Sequence, residues 1–448
     1  MARTLASKDL RSSSAAFLLL LAAGLTAALW CWRQGYTLYD FDAEMHLNIA
    51  RRLLDPLTAG PEESGTGWLP LPHVLMAPLA AVDSWWRSGL AGALPSALYF
   101  AIAGSFLFAS ARRLFDSAAA GWTAAIIFAV NPNTLYLAAV PMTEILFAAE
   151  LTCLLWAVLW YRDSRSVWAV LLLGAVSSAA SLTRYEGWLL IPFIAFAVWL
   201  AARRPAHTLL FGALAALGPF AWLLYNQFYY NNALEFYNGP SSSIALHQGS
   251  LAMGGSPTYH SWGASIQYYV EAARLVSGTT LFVAGAAGAL VALFFRAAAK
   301  PVLLLLIPPV FFMLSLQTGG TDLYVPTLWP HTLHNIRYGF AGFVFVASAS
   351  SGLVTLLSRR RWIGSVVLVG AAAIPWFTIG PICWREARDN SKARHKAQNQ
   401  AVFFLKPVAV SAAACSTSCE VLGDSVPNWL AENGVILANG ERPLSTSR

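Results

Sequence analysis

Three carboxylates fall within five residues near the start of the chain. The stretch "YDFDAEMHLNIARRLLD", residues 39–55, contains Asp40, Asp42 and Glu44 directly after the first apolar run. A carboxylate can take the proton of an attacking nucleophile as a general base. It can also cap a helix by accepting hydrogen bonds from free backbone N–H groups. The stretch therefore predicts either acid–base chemistry or a capped helix.

A helical wheel divides these acids between two faces. At about 100° per residue, Asp42 and His46 fall four positions apart within the apolar arc, so they stack on one face. Glu44 falls on the polar arc with Arg51 and Arg52. The pattern predicts an amphipathic helix at the membrane surface, with Asp42 and His46 turned toward the protein. Asp42 and Glu44 can serve one site only if Asp42 precedes the helix.

The composition indicates a polytopic membrane protein. Of the 448 residues, 57% are hydrophobic and 11% are charged, whereas a soluble domain has about 25% charged residues. The net charge of +7 arises largely from basic clusters between apolar runs, which is how the bilayer orients a protein, so we expect no nucleic-acid partner. The cysteines have no spacing typical of a zinc site.

About eleven apolar runs approach the roughly 17 to 25 residues that a spanning helix needs. They lie near 15–33, 92–111, 118–133, 141–160, 166–182, 187–202, 207–225, 277–295, 301–316, 337–357 and 362–380. We expect the first to be a retained signal-anchor helix. The segment "GWLPLPHVLMAPLA", 67–80, contains three prolines and is predicted to be a juxtamembrane or re-entrant element. The predicted fold is all-α, with about 11 transmembrane helices and outer-face juxtamembrane helices.

Basic clusters fall on alternate loops, and such clusters stay cytoplasmic. They are Arg112 with Arg113, Arg162 with Arg165, Arg203 with Arg204, Arg296 with Lys300, and Arg359 to Arg361. The pattern predicts a multi-pass protein of the plasma (inner) membrane, with a cytoplasmic N-terminus and an extracytoplasmic C-terminus.

All the long connections then lie on the outer face, at 34–91, 226–276, 317–336 and 381–448. Long loops in a compact protein are usually functional or disordered, so we expect the site there. Residues 1–380 form the predicted transmembrane domain. The segment 381–448 is predicted to be a small extracytoplasmic α/β appendage, with a helix in "WREARDNSKARHKAQN" and strands in "PVAVSAA" and "GVILANG".

This organisation resembles the C-type (GT-C) membrane glycosyltransferases that use polyprenyl-phosphate sugars, the group that contains protein O-mannosyltransferases and lipid A aminoarabinose transferases. The phrases that carry the resemblance are "WLPLPHVLMAPL", "NPNTLYLAAVPMTEILF", "SLTRYEGWLL" and "HNIRYGF", together with the acidic stretch after the first span. Many members have adjacent Asp-Glu in the first loop, whereas this chain has Asp40-Phe-Asp42-Ala-Glu44. Which carboxylate takes the base position therefore stays open.

The resemblance implies transfer of a hexosyl or pentosyl group from a polyprenyl-phosphate donor to a hydroxyl of a glycan, lipid or protein, with inversion and a carboxylate base. Asp42 is the first choice of base, with Glu44 and Asp40 as alternatives. The leaving phosphate needs a guanidinium at the membrane edge, which can bind it bidentately. Arg337 is the first choice and Arg184 the second; the alternative for each is an ordinary interfacial arginine.

Four more residues complete the predicted substrate-binding set: Glu144, His46, Tyr338 and His334. Glu144 enters a span from its outer end, where an ionisable group usually faces the protein; it could bind the acceptor or order the first loop. With Asp42 or Glu44, the outer-face histidines could also bind a divalent cation, although their spacing defines no ligand set. These histidines are His46, His73, His331 and His334.

Two other classes of function remain open. A transporter or flippase for a lipid-linked or amphipathic substrate would usually have internal repeats and ionisable sites near the midplane. This sequence has no clear two-half repeat, and its acids gather on one face. A sensor or assembly scaffold that keeps the fold without the donor site is the third alternative.

Overall fold

The computed structural model describes residues 2–54, 65–240, 242–245, 256–294 and 297–394. These residues are helical or lie in turns and loops, apart from one isolated antiparallel bridge between Tyr324 and His334. The predicted all-α class is therefore confirmed for the described part of the chain.

The principal α-helices follow one another with short connections. In chain order they are α1 (Ala2–Arg33), α2 (Phe41–Arg52), α3 (Leu71–Ala80), α4 (Asp83–Ser88), α5 (Leu90–Phe115), α6 (Ala118–Val130), α7 (Pro132–Leu137), α8 (Thr143–Ser164), α9 (Val167–Thr183), α10 (Glu186–Ala202), α11 (Pro205–Ala215), α12 (Leu217–Tyr230), α13 (Glu235–Asn238), α14 (Trp262–Ser277), α15 (Thr279–Phe294), α16 (Ile307–Thr318), α17 (Phe340–Ser351) and α18 (Arg361–Phe377). Short 3₁₀ turns cover Ala297–Leu306, Ile336–Gly339, Gly352–Leu356 and Ser358–Arg360.

Seven helical stretches among the described residues are long and apolar enough to cross a membrane, and an eighth is possible if α14 and α15 form one broken span. These two helices meet at a bend of 110°. Three shorter apolar helices, α6, α9 and α10, begin and end close to predicted spans. The multi-pass membrane architecture is confirmed, whereas the count of about eleven spans stays a prediction.

The helix α8 is the most enclosed of these spans, since 89% of its apolar window is buried. It packs between α5 and α9. Its first turn contains Glu144, and near its other end Asp163 contacts Arg113 at 3.3 Å and Arg162 at 3.2 Å. With a rise of about 1.5 Å per residue, roughly 30 Å separate the two ends. The basic loops and the candidate site thus lie at opposite ends of α8.

The turn between α9 and α10 brings Arg184 to the site end of α8. Arg184 has extended backbone angles, φ −149° and ψ 148°, and ends α9. The next helix folds back so closely that a Cβ on Gly187 would lie 2.4 Å from the carbonyl oxygen of Ala180. Glycine is therefore required at this approach, and the hairpin holds Arg184 at its tip.

The helix α2 packs on α3. Leu47 and Ala50 of α2 form an apolar cluster with Met76 and Ala80 of α3. Arg51 donates hydrogen bonds of 2.7 Å to the carbonyl oxygens of Ala80 and Ala81 at the end of α3, where free carbonyl groups favour a cation. The apolar face of α2 is thus buried against protein.

By its internal contacts the chain divides into two units, Met1–Ala387 and Arg388–Arg448. In the first unit, residues 382–387 are helical. In the second, residues 388–394 are the described part and are helical. The helix predicted in "WREARDNSKARHKAQN" is confirmed as far as residue 394. The predicted strands "PVAVSAA" and "GVILANG" lie outside the described residues, and the division at residue 380 stays a prediction.

Candidate functional site

The guanidinium of Arg337 contacts three carboxylates. Arg337 lies in the 3₁₀ turn before α17 and is buried. Its Nη2 donates to Asp42 Oδ2, its Nη1 donates to Asp40 Oδ2 at 3.4 Å, and its Nε donates to Glu144 Oε1 at 3.2 Å. A buried charge needs such partners to offset its lost hydration. Arg337 therefore joins the first loop to α8.

Arg184 also contacts one of these carboxylates, that of Glu144. Its Nε donates to Glu186 Oε1 at 2.8 Å, and its Nη1 donates to Thr143 Oγ1 at 2.7 Å. Nη1 also lies 3.2 Å from Glu144 Oε1. One oxygen of Glu144 is thus shared by Arg184 and Arg337, and the two guanidinium groups are held as a pair.

The ring of Tyr338 lies beside both arginines. Its centroid is 5.6 Å from Arg184 Cζ and 5.3 Å from Arg337 Cζ, within the range of a cation–π interaction. The same ring stacks on Phe312 of α16, with centroids 4.6 Å apart. The aromatic pair therefore closes one side of the arginine pair.

The backbone of the first loop separates the roles of two carboxylates. Asp40 is the N-cap of α2, with φ −75° and ψ 133°, and its Oδ1 accepts a hydrogen bond of 2.9 Å from the N–H of Asp42. Asp42 lies in the first turn of α2 and is half-buried. The helix cap is thus Asp40, which leaves the side chain of Asp42 for the cavity. Burial raises the pKa of Asp40, although the nearby charge of Arg337 opposes the shift.

A histidine pair lies next to Asp42. His46 is buried on the same face of α2, as the wheel predicted, and its Nδ1 lies 2.8 Å from Nε2 of His73 in α3. The ring of Trp68 packs on His46, with centroids 4.7 Å apart. Burial, and then the charges of Arg337 and Arg184, lower the pKa of His46 to about 3. His46 is therefore a neutral group at ordinary pH.

These side chains line a cavity of about 170 Å³. Its lining includes Asp42, His46 and Trp68 together with Arg184 and Arg337. A smaller recess of about 20 Å³ is lined mostly by apolar side chains of α8 and α17, together with Arg184 and Arg337. The two spaces share six lining residues: Glu144, Arg184, Glu186, Phe312, Arg337 and Tyr338. The same charged residues thus border a cavity of mixed polar and apolar lining and an apolar recess.

The loop before Arg337 is held by Glu386. The carboxylate of Glu386 is buried, and it accepts hydrogen bonds from the backbone N–H of Asn335 and, at 3.0 Å, of Ile336. On the other side of Arg337, a Cβ on Gly339 would lie 2.6 Å from the carbonyl carbon of Ala272. The backbone on both sides of Arg337 is therefore fixed.

The structure brings most of the predicted residues together. The predicted residues that line the cavity are Asp42, His46, Glu144, Arg184, Arg337 and Tyr338. Asp40 is outside the lining but contacts Arg337. Glu44 and His334 line neither the cavity nor the recess. His334 forms the backbone bridge with Tyr324, and its Nε2 lies 3.2 Å from Asn335 Nδ2.

Within the described ranges, no group of three or more His, Cys, Asp or Glu side chains is placed to hold a metal ion. His46, one of the proposed cation ligands, has its Nδ1 directed at His73. The divalent cation stays a prediction.

Sequence reasoning missed four groups that support the site: Thr143, Glu186, Phe312 and Glu386. Glu186 had a detectable signal, because it follows Arg184 by two positions in "TRYEGW" and is the first residue of α10. Glu386 had none, because its partners at 335 and 336 lie about 50 positions away and no local pattern joins them.

One family model matches part of the chain. The family model described as dolichyl-phosphate-mannose-protein mannosyltransferase matches residues 84–225, about a third of the chain. The match includes Glu144 and Arg184 and excludes Asp42 and Arg337. It confirms the resemblance to C-type membrane glycosyltransferases. No curated protein sequence matches the chain.

Two solved structures align with most of this chain. ArnT from Cupriavidus metallidurans, in the apo state, has 16% identity and a TM-score of 0.46, with 78% of this chain and 61% of ArnT covered. The archaeal oligosaccharyltransferase AglB from Archaeoglobus fulgidus, in complex with an inhibitory peptide and a dolichol-phosphate, has 14% identity and a TM-score of 0.47, with 85% and 55% covered. The matched region thus spans less than two thirds of either protein.

Proposed function

We propose that the protein transfers a sugar from a polyprenyl-phosphate donor to an acceptor hydroxyl, with inversion and with Asp42 as general base. The observation that carries this proposal is the arginine pair, which lines two neighbouring spaces. Arg184 and Arg337 line both a cavity that holds the charged side chains of the site and a neighbouring apolar recess. A lipid phosphate has the same division, with a sugar on one side of the phosphate and an isoprenoid on the other.

The donor phosphate is assigned to the arginine pair. Planar guanidinium groups bind phosphate oxygens bidentately, and the shared oxygen of Glu144 keeps Arg184 and Arg337 side by side. The first isoprene unit would lie along Phe147 and Val344, and these side chains must move apart to admit it, because the recess of about 20 Å³ has room for little more than a water molecule. As the phosphodiester leaves as a phosphate dianion, its new charge develops at the arginines, which are already oriented.

Asp42 is assigned the acceptor proton. It projects into the cavity from a helix whose cap is supplied by Asp40, so its carboxylate is free for the substrate once Arg337 Nη2 turns to the phosphate. We infer that the donor binds first and releases Asp42 from Arg337. The acceptor oxygen then attacks the anomeric carbon from the side opposite the phosphate, with Asp42 as the base, and the configuration inverts.

The charges of the site favour a proton on Asp40 in the donor complex. Arg184 and Arg337 face four carboxylates, those of Asp40, Asp42, Glu144 and Glu186, which is two positive and four negative charges when all are ionised. The donor phosphate adds another negative charge. A proton on Asp40 or a divalent cation that enters with the donor would reduce this excess, and the raised pKa of Asp40 favours the proton.

The site end of the bundle is proposed to face the extracytoplasmic side of the plasma (inner) membrane. Support comes from the basic residues around Asp163, which lie at the opposite end of α8 and stay cytoplasmic under the positive-inside rule. The partners are then a polyprenyl-phosphate-linked hexose or pentose, membrane lipids, and a glycan, lipid or protein acceptor.

The direct experiment uses the purified full-length protein in lipid nanodiscs with a labelled polyprenyl-phosphate sugar and a mixture of hydroxyl acceptors. A transferase releases polyprenyl phosphate only when an acceptor is present. A transporter or flippase instead moves the intact donor across vesicles without releasing it. A scaffold without the donor site neither releases the donor nor protects it from phosphatase.

A further inference from the structure

We propose that His73 fixes His46 as a neutral donor with its proton on Nε2, and that His46 uses this proton to bind a hydroxyl of the transferred sugar. His73 is then a positioning residue that acts through His46. The choice of a sugar hydroxyl rests on the transferase function proposed above, whereas the state of the imidazole rests on the histidine pair alone.

The geometry leaves one nitrogen of His46 for a ligand. His46 lines the cavity, and its Nδ1 is the atom directed at His73, 2.8 Å from Nε2. His46 Nε2 is therefore the ring nitrogen that a substrate can reach. The other nitrogen of His73, Nδ1, is buried and has no hydrogen-bond partner.

The unpartnered Nδ1 of His73 decides which tautomers the two histidines adopt. Between two neutral imidazoles one nitrogen must donate and the other accept. If His46 donated, His73 would carry its remaining proton on Nδ1, as a buried N–H without an acceptor. If His73 donates from Nε2, its Nδ1 is instead an acceptor without a donor. Among backbone groups, buried N–H groups without an acceptor are rarer than under-satisfied acceptors. By the same preference we infer that His73 donates and that His46 carries its proton on Nε2.

The surrounding charges keep this donor neutral. The charged groups that face His46 are Arg337 and Arg184 from across the cavity and Asp42 from its own helix. Burial and the two arginines disfavour an imidazolium, and His73 is buried on its other side. A neutral N–H matches a neutral hydroxyl, whereas the anionic phosphate is matched by the arginine pair.

The neighbouring ring supports a sugar as the partner. Trp68 packs on His46 and lines the same cavity. An indole offers a large apolar surface to the C–H face of a sugar, and small-molecule sites combine such surfaces with a few fixed polar groups. Trp68, His46 and Asp42 thus line the same cavity and supply a stacking surface, a hydrogen-bond donor and a base.

The first measurement is nitrogen NMR of full-length protein with ¹⁵N-labelled histidine in nanodiscs at pH 7. The His46 signals are assigned from their loss in His46→Gln. We expect a protonated Nε2 and an unprotonated Nδ1. His73→Gln, whose amide nitrogen can still donate, should keep this pattern, and His73→Leu should release His46 into a mixture of tautomers. An Nδ1–H tautomer or a doubly protonated ring in the wild type would overturn the proposal.

The second measurement is donor KM during turnover. A neutral hydrogen bond contributes about 0.5–1.5 kcal/mol, so His46→Leu should raise KM about two- to tenfold, while His46→Gln, which keeps a donor, should raise it less. Equal KM values for both variants, with the NMR pattern as expected, would overturn the sugar contact and leave the tautomer standing. A protein without transferase activity but with the expected NMR pattern would overturn the proposed function and the sugar contact, and would leave the tautomer standing.

Discussion

Glu144 and Arg337 lie 193 positions apart in the chain, yet Arg337 Nε donates to Glu144 Oε1 at 3.2 Å, and Arg184 Nη1 reaches the same oxygen at the same distance. A single carboxylate oxygen thus sets the spacing of two guanidinium groups. Because planar guanidinium groups bind phosphate through pairs of N–H donors, this spacing is the feature from which the donor site follows.

Arg337→Lys should weaken donor binding. Lysine keeps the positive charge but lacks the paired N–H donors of a planar guanidinium. A hydrogen bond to a charged group contributes about 1.5–3 kcal/mol. The loss of one such bond predicts a donor Kd about 10- to 100-fold higher, measured by titration with a fluorescent polyprenyl-phosphate sugar. The matched control is Arg274→Lys, because Arg274 pairs with Glu271 and lines neither the cavity nor the recess. An unchanged Kd for Arg337→Lys would make Arg337 an interfacial anchor.

Glu386→Ala should disturb the donor site without touching it. The substitution leaves the N–H groups of Asn335 and Ile336 without their acceptor, and each such buried group costs about 1–3 kcal/mol. We expect a lower apparent Tm and a higher donor KM, with Glu386→Gln intermediate because its amide oxygen can still accept. Glu271→Gln is the control. A Glu386→Ala variant with wild-type KM would show that Arg337 is held by other contacts.

Asp40→Asn should remove a pH dependence from stability. The folded pKa of Asp40 is raised, so its contribution to stability is fully present below the unfolded value near 3.8 and is lost as pH rises through the folded value. Asparagine stays neutral and is also a good N-cap. The Tm of Asp40→Asn minus that of the wild type should therefore increase from pH 4 to pH 8 in the same detergent. A flat or falling difference would contradict a raised pKa.

Features that depend on local pattern could be predicted from the sequence. The apolar run at 92–111 lies within α5, and the run at 141–160 largely coincides with α8, because hydropathy and length decide where a chain can span a bilayer. The inward face of α2 could be predicted as well, since Asp42 and His46 are four positions apart and both reach the cavity.

Features that depend on distant contacts could not be predicted. Whether Asp40 or Asp42 caps α2 depends on backbone angles that the sequence leaves open. The pairing of Arg337 with Asp42 joins residues 295 positions apart, and each of those residues also fits an ordinary surface role. Likewise, His73 was recognised only as a histidine on the outer face, because its contact with His46 arises from the packing of α2 on α3.

The role of Asp42 is tested most directly by the acceptor-dependent release of polyprenyl phosphate by Asp42→Asn, measured beside donor binding and beside Glu44→Gln. Glu44 is the matched control because it lies on the same helix and lines neither the cavity nor the recess. A general base contributes about 10²- to 10⁴-fold, so we predict a loss of that size in Asp42→Asn with donor affinity retained, and near wild-type release in Glu44→Gln. Undiminished release by Asp42→Asn would contradict the assignment of Asp42 as the base. So would a loss of release in Glu44→Gln that Asp42→Asn does not show.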